Sequence, residues 1–307
     1  MEILFLGTGS AWAVPEHSCG CAICTRMLSE GEERTRTSFL VRSRESILVD
    51  CGPDWRIQMR THQLERPDVI LITHEHADHF LGLDDLLAFR RSMPADSWKP
   101  IPVYATEQSW KTIEIYFGYL LGSLIEKRYA VPGDKLEGLK TRVTPFKTHH
   151  GVVAGGSVGY VLEDQVSGQP FKIIYTSDFS HLEAELPILI EPDVLIIQSH
   201  WLNEPRDNRP NHMSFQRAMD YIKKWKPRRE TLLVHLSDSD QVPGDPCNNF
   251  LKKIPPLAPL EDPGSGLPYP IPTCQSEWHK VIDKICADHQ VPGPVVPTYD
   301  GMQRIYQ

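Results

Sequence analysis

The sequence predicts a layered α/β fold. Three observations carry that prediction: short apolar runs divided by turn chemistry, helices interspersed among them, and a His/Asp cluster placed directly after one run. The runs fall at residues 3–6, 38–41, 46–49, 68–73, 101–104, 142–146, 159–162, 172–176, 193–198 and 231–235, each of strand length. The best-marked helix follows Asn211-His212-Met213-Ser214. Ser214 is placed to cap it, and Phe215, Ala218, Met219, Ile222 and Trp225 recur at three- and four-residue steps until Pro227 stops the pattern. Residues 110–121 form a second helical stretch, apolar over most of its surface, and a third spans about 275–288.

Composition sets the outer bounds. At 307 residues, 40% hydrophobic and 23% charged, the chain can bury one large core or two modest ones. Its 40 Asp and Glu against 32 Lys and Arg leave a net charge of −8, which argues against a chain-wide basic field, so nucleic acid is not an expected partner. No apolar run approaches the roughly 20 residues needed to cross a bilayer. The opening Met1-Glu2-Ile3-Leu4-Phe5-Leu6 lacks the cationic and long apolar parts of a signal peptide, so the expectation is a cytoplasmic protein without membrane contact. Between 243 and 297 stand 12 of the 26 prolines, which excludes continuous helix or sheet there. The expected organisation is a core over 1–242, an ordered insertion over 243–294 packed on it through Tyr269, Trp278 and Ile282, and a closing strand over 295–307. No internal repeat is visible.

The segment with the most chemistry is Asp68-Val69-Ile70-Leu71-Ile72-Thr73-His74-Glu75-His76-Ala77-Asp78-His79. A buried strand here delivers three imidazoles and a carboxylate at its carboxyl end, where α/β proteins commonly bind ligands. His74 and His76 alternate along an extended chain and can point to one side, while Asp78 and His79 at the following turn can face a neighbouring point. That geometry serves two metal ions rather than one. A solvated His-rich turn is the bland alternative, disfavoured because such tracts are scarce outside metal sites. Two ions need more ligands, and other strand ends supply them: Asp178 is placed to bridge, His235 ends one run, and His150 follows another with His149 as its competitor. Asp50, after the run at 46–49, is placed to orient a ligand imidazole.

The H-x-H-x-D-H pattern, followed by a distant His, Asp and His, resembles the metallo-β-lactamase fold over nearly the whole chain outside the Pro-rich insertion. The resemblance implies a four-layer αββα sandwich, with His74, His76 and His150 on one ion, Asp78, His79 and His235 on the other, and Asp178 bridging. Leu6-Gly7-Thr8-Gly9-Ser10-Ala11 also resembles the opening of the phosphodiesterase and tRNA-processing branches, although Gly-x-Gly alone serves any tight turn. Three of the seven cysteines fall in Cys19-Gly20-Cys21-Ala22-Ile23-Cys24. Thiolates at that spacing can wrap one ion, giving three of the four ligands of a closed structural zinc site, and an odd cysteine count suits a metal site better than a disulfide scaffold. Three buried thiols without a metal are the alternative.

This cysteine motif is similar to that of the phosphoribosyl cyclic phosphate phosphodiesterases of bacterial phosphonate breakdown and of the accessory proteins of pyrroloquinoline quinone biosynthesis. The intact H-x-H-x-D-H matches the former, and Tyr299-Asp300-Gly301-Met302 resembles the closing segment of both. Where the phosphodiesterase carries a His three residues beyond its metal-binding His, this chain has Asp238, which becomes the expected fourth zinc ligand, with His17, Asp240 or Cys247 as substitutes. His212, after Asn211, matches a His that assists phosphoester cleavage in that family. His200 either supports the same pocket or fills the core.

The resemblance implies two divalent ions, zinc, manganese or iron, and a separate structural zinc. Water held between the two ions would become a hydroxide nucleophile, with Asp78 and His212 as the catalytic residues and His212 protonating the leaving oxygen. The expected activity is a binuclear metal-dependent phosphodiesterase acting on a small cyclic or nucleotide-like phosphodiester. One alternative is a hydrolase of a carbon-centred substrate such as a lactone or thioester; another is a non-catalytic biosynthesis accessory protein. The tRNA-processing reading ranks lower because the chain is acidic. Trp98, Tyr116, Phe117 and Tyr119 either roof the pocket or, for the aromatics within 110–121, form a homodimer contact.

Overall fold

The computed structural model describes residues 1–307. A seven-stranded sheet takes β1 (Glu2–Gly7), β2 (Ser38–Arg42), β3 (Ser46–Val49), β4 (Val69–Leu71), β5 (Ile101–Ala105) and β6 (Ile125–Tyr129) in that order, with β13 (Gln303–Ile305) outside β1. A six-stranded sheet runs β7 (Arg142–Lys147), β8 (Val158–Val166), β9 (Gln169–Tyr175), β10 (Val194–Gln198), β11 (Glu230–Val234) and β12 (Val295–Pro297). Each sheet begins with antiparallel pairs, β1/β2/β3 and β7/β8/β9, and continues with parallel ones. The two halves therefore repeat one another in topology without a sequence repeat. The last residues join them, because β12 pairs with β11 in one sheet and β13 with β1 in the other.

Side-chain alternation builds the layers. In β1, Ile3 and Phe5 enter the core between the sheets while Leu4 and Leu6 enter a second core on the outer face. In β10, Val194 and Ile196 face the inter-sheet core, and Leu195 and Ile197 face a third. Helices cover both outer faces: α2 (Trp55–Thr61) and α5 (Glu107–Phe117) on the first sheet, α6 (Phe215–Trp225) and α7 (Gln275–Asp288) on the second. The result is the αββα sandwich. Ser214 caps α6 by accepting from the Arg217 N–H, and all five apolar positions read from the sequence are buried. Trp278 and Ile282 of α7 are buried with Tyr269 in that same outer core.

The structure contains more helix than the sequence reading expected. Beside α2 it adds α1 (Ala22–Glu30), α3 (Ala77–Phe80) and α4 (Leu87–Arg91), all short, and the sequence strand at 68–73 is hydrogen-bonded only as β4. The stretch at 110–121 begins earlier, as α5, and only one face is apolar and covered: Trp110, Ile113 and Phe117 are buried while Ile115 and Tyr116 are exposed. No helix is long and apolar enough to cross a membrane.

Candidate functional site

The carboxyl ends of strands from both sheets converge on one region. From the first sheet come Asp50 after β3 and the segment His74–His79 after β4. From the second come His150 after β7, Asp178 after β9, Gln198 and His200 at and after β10, and His235 after β11. Asp50, Ser177 and His235 all adopt left-handed backbone, with φ near 59°, 58° and 59°. Such φ is uncommon outside glycine, and here it turns the chain sharply as it leaves three separate strands. Gly52 makes a close approach possible: a Cβ there would lie 2.0 Å from the Asp78 carbonyl oxygen.

Four overlapping groups of metal-competent atoms result, two of which match the ligand sets expected from the sequence. His74, His76 and His150 form the first of these, with His150 Nε2 3.2 Å from His76 Nδ1. Asp78, His79, Asp178 and His235 form the second; the others are His150 with Asp178 and His212, and His200 with His212 and His235. Asp178 joins the first two, since its Oδ2 lies 2.9 Å from His235 Nε2, 3.5 Å from His79 Nε2 and 3.9 Å from His150 Nε2. His149 stays out: it is partly exposed, with its ring 4.3 Å from that of His181.

The donor set fits divalent metal. Nε2 of His74 and Oδ1 of Asp178 are buried without a hydrogen-bond partner, and Nε2 of His79 and of His235 face only the Asp78 and Asp178 carboxylates, an arrangement that is costly unless something else engages these atoms. Imidazoles and carboxylates on this pattern suit zinc, manganese or iron. Burial opposes ionisation of Asp78 and Asp178, but the facing imidazoles, His79 for Asp78 and His235 with His79 for Asp178, hold both well below the usual carboxylate range. Burial and neighbouring imidazoles push His74 well below its ordinary value. His79 behaves oppositely, because the Asp78, Asp50 and Asp178 carboxylates outweigh burial and raise it.

Around the two groups stands a hydrogen-bonded frame. Asp50, fully buried, accepts from the Thr73 N–H at 2.8 Å and the Thr73 hydroxyl at 3.0 Å, and its Oδ2 lies 2.8 Å from His79 Nδ1. This contact fixes a proton on His79 Nδ1, so that Nε2 is the nitrogen that would give up its proton to a metal ion. Two further residues escaped the sequence reading. Glu75 lies between two candidate ligands and points away from them, accepting from the Ser109 hydroxyl at 2.9 Å and the Gly156 N–H at 3.1 Å. Strict alternation at His74-Glu75-His76 signals such an inward carboxylate, which must then find buried donors.

Gln198 is the other. Its Oε1 accepts the N–H groups of Phe179 and Met213, both at 3.0 Å, which fixes the amide so that Nε2 donates to His212 Nδ1 at 2.7 Å. The remaining neutral proton of His212 is therefore on Nε2. Burial, then the neighbouring His200, holds His212 well below its ordinary range, and burial pushes His200 down to about 3. The two rings stack at 4.3 Å, and His212 Nδ1 is 3.6 Å from Asp178 Oδ2. A neutral ring of this kind presents its Nε2–H as a hydrogen-bond donor.

Cys19, Cys21, Cys24 and Asp238 form a separate cluster, with Asp238 Oδ2 at 3.7, 3.6 and 2.9 Å from the three sulfurs. Asp238 is thus the group that the fold brings to the cysteines. Asp240 instead accepts from the Leu202 N–H at 3.0 Å. A cleft of about 420 Å³ opens between the two clusters, lined by His200 and His212 on one side and Asp238 on the other. None of Trp98, Tyr116, Phe117 and Tyr119 lines it; Trp98 and Phe117 pack in the helix layer over the first sheet.

Comparison with known proteins agrees with this architecture. Residues 45–236 match the model of the beta-lactamase superfamily domain. An octanoyltransferase of Porphyromonas gingivalis is 29% identical over 248 residues, covering 77% of this chain and 46% of that protein. A ribonuclease Z of Pyrococcus abyssi is 31% identical, over 54% of this chain and 48% of its own length. The human zinc phosphodiesterase ELAC protein 1 is 29% identical, over 45% and 37%. The chain thus spans less than half the length of these curated relatives. Among solved structures, a diphosphatase from the PhnP family superposes with a TM-score of 0.69 at 22% identity, covering 100% of this chain and 98% of the other. Zinc-bound PqqB from Methylobacterium extorquens gives 0.71 at 15%, covering both chains fully. At these identities the structural likeness is one of fold.

Proposed function

Because the chain belongs to the metallo-β-lactamase superfamily of metal-dependent hydrolases, we propose that it is a binuclear phosphodiesterase acting on a small cyclic or nucleotide-like phosphodiester. The observation that carries this reading is Asp178, whose Oδ2 approaches imidazoles of both groups. His74, His76 and His150 would hold one ion, Asp78, His79 and His235 the other, and Asp178 both. When bound, the ions supply Lewis acidity toward the phosphoryl oxygens and a water acidic enough to act as nucleophile near neutral pH.

The chain's own residues do the rest. Asp50 holds the His79 proton at Nδ1, so that Nε2 stays available. Gln198 holds the His212 proton at Nε2, from which the ring can donate to an ester oxygen as negative charge builds there. His200 stacks on His212 and limits its rotation. The burial of His74, His79, Asp178 and His235 keeps bulk water from screening these charges. A phosphodiester is favoured because relatives named as a zinc phosphodiesterase and as a ribonuclease Z are 29% identical over 150 residues and 31% identical over 173 residues. The net charge of −8 favours a small substrate over an RNA strand. The cysteine cluster is read as a structural zinc site.

The test is turnover of bis(p-nitrophenyl) phosphate by protein of measured zinc and manganese content, beside a His76→Ala, Asp78→Ala double variant. Turnover by the native chain alone supports the reading. Absence of turnover with both ions bound would move the substrate to a carbon-centred ester or thioester, and absence of both ions would leave an accessory role.

A further inference from the structure

The cleft between the two clusters has two walls made by turns that project large apolar side chains into water. Trp12 stands at the tip of one turn and is 71% exposed; Leu251 stands on the other and is 98% exposed. Neither turn is loose. The first is closed by the Ala13 N–H to the Ser10 carbonyl at 2.9 Å, and the Arg36 Nε–H reaches the Ala11 carbonyl at 2.8 Å. The second is closed by the Lys253 N–H to the Phe250 carbonyl at 2.9 Å. Its flanking ammonium groups are tied down as well, Lys252 to Asp238 and Glu16, Lys253 to the Asp240 carbonyl at 2.9 Å. A rigid turn that leaves Trp in solvent forgoes its burial on folding and keeps a flat face ready for a ligand.

The charges of the cleft narrow the ligand. Arg209 is engaged by Asp207 at 2.7 Å, and Lys252 by the two carboxylates, so the cations lining it are already paired and are offset by Glu16 and Asp238. Such a wall offers nothing for a second phosphate or a polyanionic strand. Its apolar members do offer contact to an uncharged planar group, and its inner end carries His200 and His212. The volume of about 420 Å³ lies in the range of small-ligand sites.

We propose that this cleft is the binding site for a flat aromatic group of nucleobase size carried by the substrate, with Trp12 as its stacking platform and Leu251, on the Pro-rich insertion, as the opposing wall. The assignment rests on the phosphodiesterase reading for the position of the ester, beside His212. It gives the insertion a role in substrate choice. It also makes the cysteine cluster a clamp: the N-terminal loop through Cys19, Cys21 and Cys24 and the insertion through Lys252 both meet Asp238.

The experiment is calorimetric titration of the metal-loaded full chain with adenosine 5′-monophosphate and with ribose 5-phosphate, which differ only in the base. Stacking on an aromatic side chain is worth about tenfold or more in affinity. The native protein should therefore bind the nucleotide at least tenfold more tightly. Trp12→Ala should reduce that preference below about threefold and leave ribose 5-phosphate unchanged, and Trp12→Phe, which keeps a flat ring, should retain most of it. Equal binding of both probes, binding of neither, or a preference that survives Trp12→Ala overturns the assignment. Turnover of bis(p-nitrophenyl) phosphate separates this from the reaction itself: turnover without base preference removes the cleft assignment alone, whereas base preference without turnover removes only the reaction.

Discussion

Asp50→Asn isolates how far the candidate metal site depends on a residue outside its proposed ligands. Asp50 receives the Thr73 N–H, the Thr73 hydroxyl and the His79 Nδ1 proton. Asparagine can keep an oxygen on the Thr73 N–H, but its amide nitrogen then faces His79 Nδ1 as a donor. The imidazole answers by moving its proton to Nε2, the buried atom beside Asp78 and Asp178. The penalty therefore falls on metal binding. Losing a carboxylate behind a ligating imidazole costs about 10- to 100-fold in affinity, or about 1.4–2.8 kcal/mol. The metal-free fold should lose a smaller amount, about 1–2 kcal/mol for one weakened buried hydrogen bond. Competition against a chromophoric chelator gives the affinity, and thermal unfolding of the chelated protein gives the stability. Unchanged zinc affinity with the fold intact would refute the claim that Asp50 sets the His79 tautomer.

Other expectations follow from the same geometry. His235 is held up at about 9 because the Asp178 and Asp78 carboxylates outweigh burial, and His79 is raised for the same reason, whereas burial lowers His74, His76 and His150. Metal must therefore displace protons from the Asp78/His79/His235 group at neutral pH. Its affinity there should climb steeply from pH 6 to 9 while the three-imidazole group changes little, and parallel pH slopes for the two ions would contradict this. His212→Asn should lower kcat by about 10²-fold or more with both ions retained, as for loss of a donor to developing charge; unchanged kcat would remove His212 from the reaction. Cys24→Ala should cost about 3 kcal/mol and lower Tm by roughly 5 °C, with zinc content falling by one ion, and an unchanged zinc content would remove Cys24 from any zinc site.

Much of this was legible in the sequence because the site is built from strand ends. A strand announces itself by apolar residues, and the polar residues that follow are where a candidate ligand stands, so His74, His76, Asp178 and His235 could be read in order as residues of one cluster. The continuous apolar run at 3–6 hides its two faces, and only the packed sheets reveal that Ile3 and Phe5 enter one core and Leu4 and Leu6 another. The short helices were missed for physical reasons. In α2, seven residues carry two arginines and bury only Trp55 and Gln58, so no periodic stripe forms. Strand β6, with the sequence IEKRY at a sheet edge, has the charged pattern of a solvated loop. Gln198 was hidden because it reads as the polar end of β10, and its significance lies in Phe179, Met213 and His212, which only the fold brings to it. The cleft was illegible for the same reason: Trp12 and Leu251 both line it but lie far apart in the chain.

On the proposed reading, Asp178 couples two ion sites into one centre. Crystals of the zinc-loaded protein, measured on either side of the zinc absorption edge, should then show two anomalous peaks a few ångströms apart, flanking Asp178, and a third among Cys19, Cys21, Cys24 and Asp238. A single peak at the cysteines, with none beside Asp178, would contradict that reading.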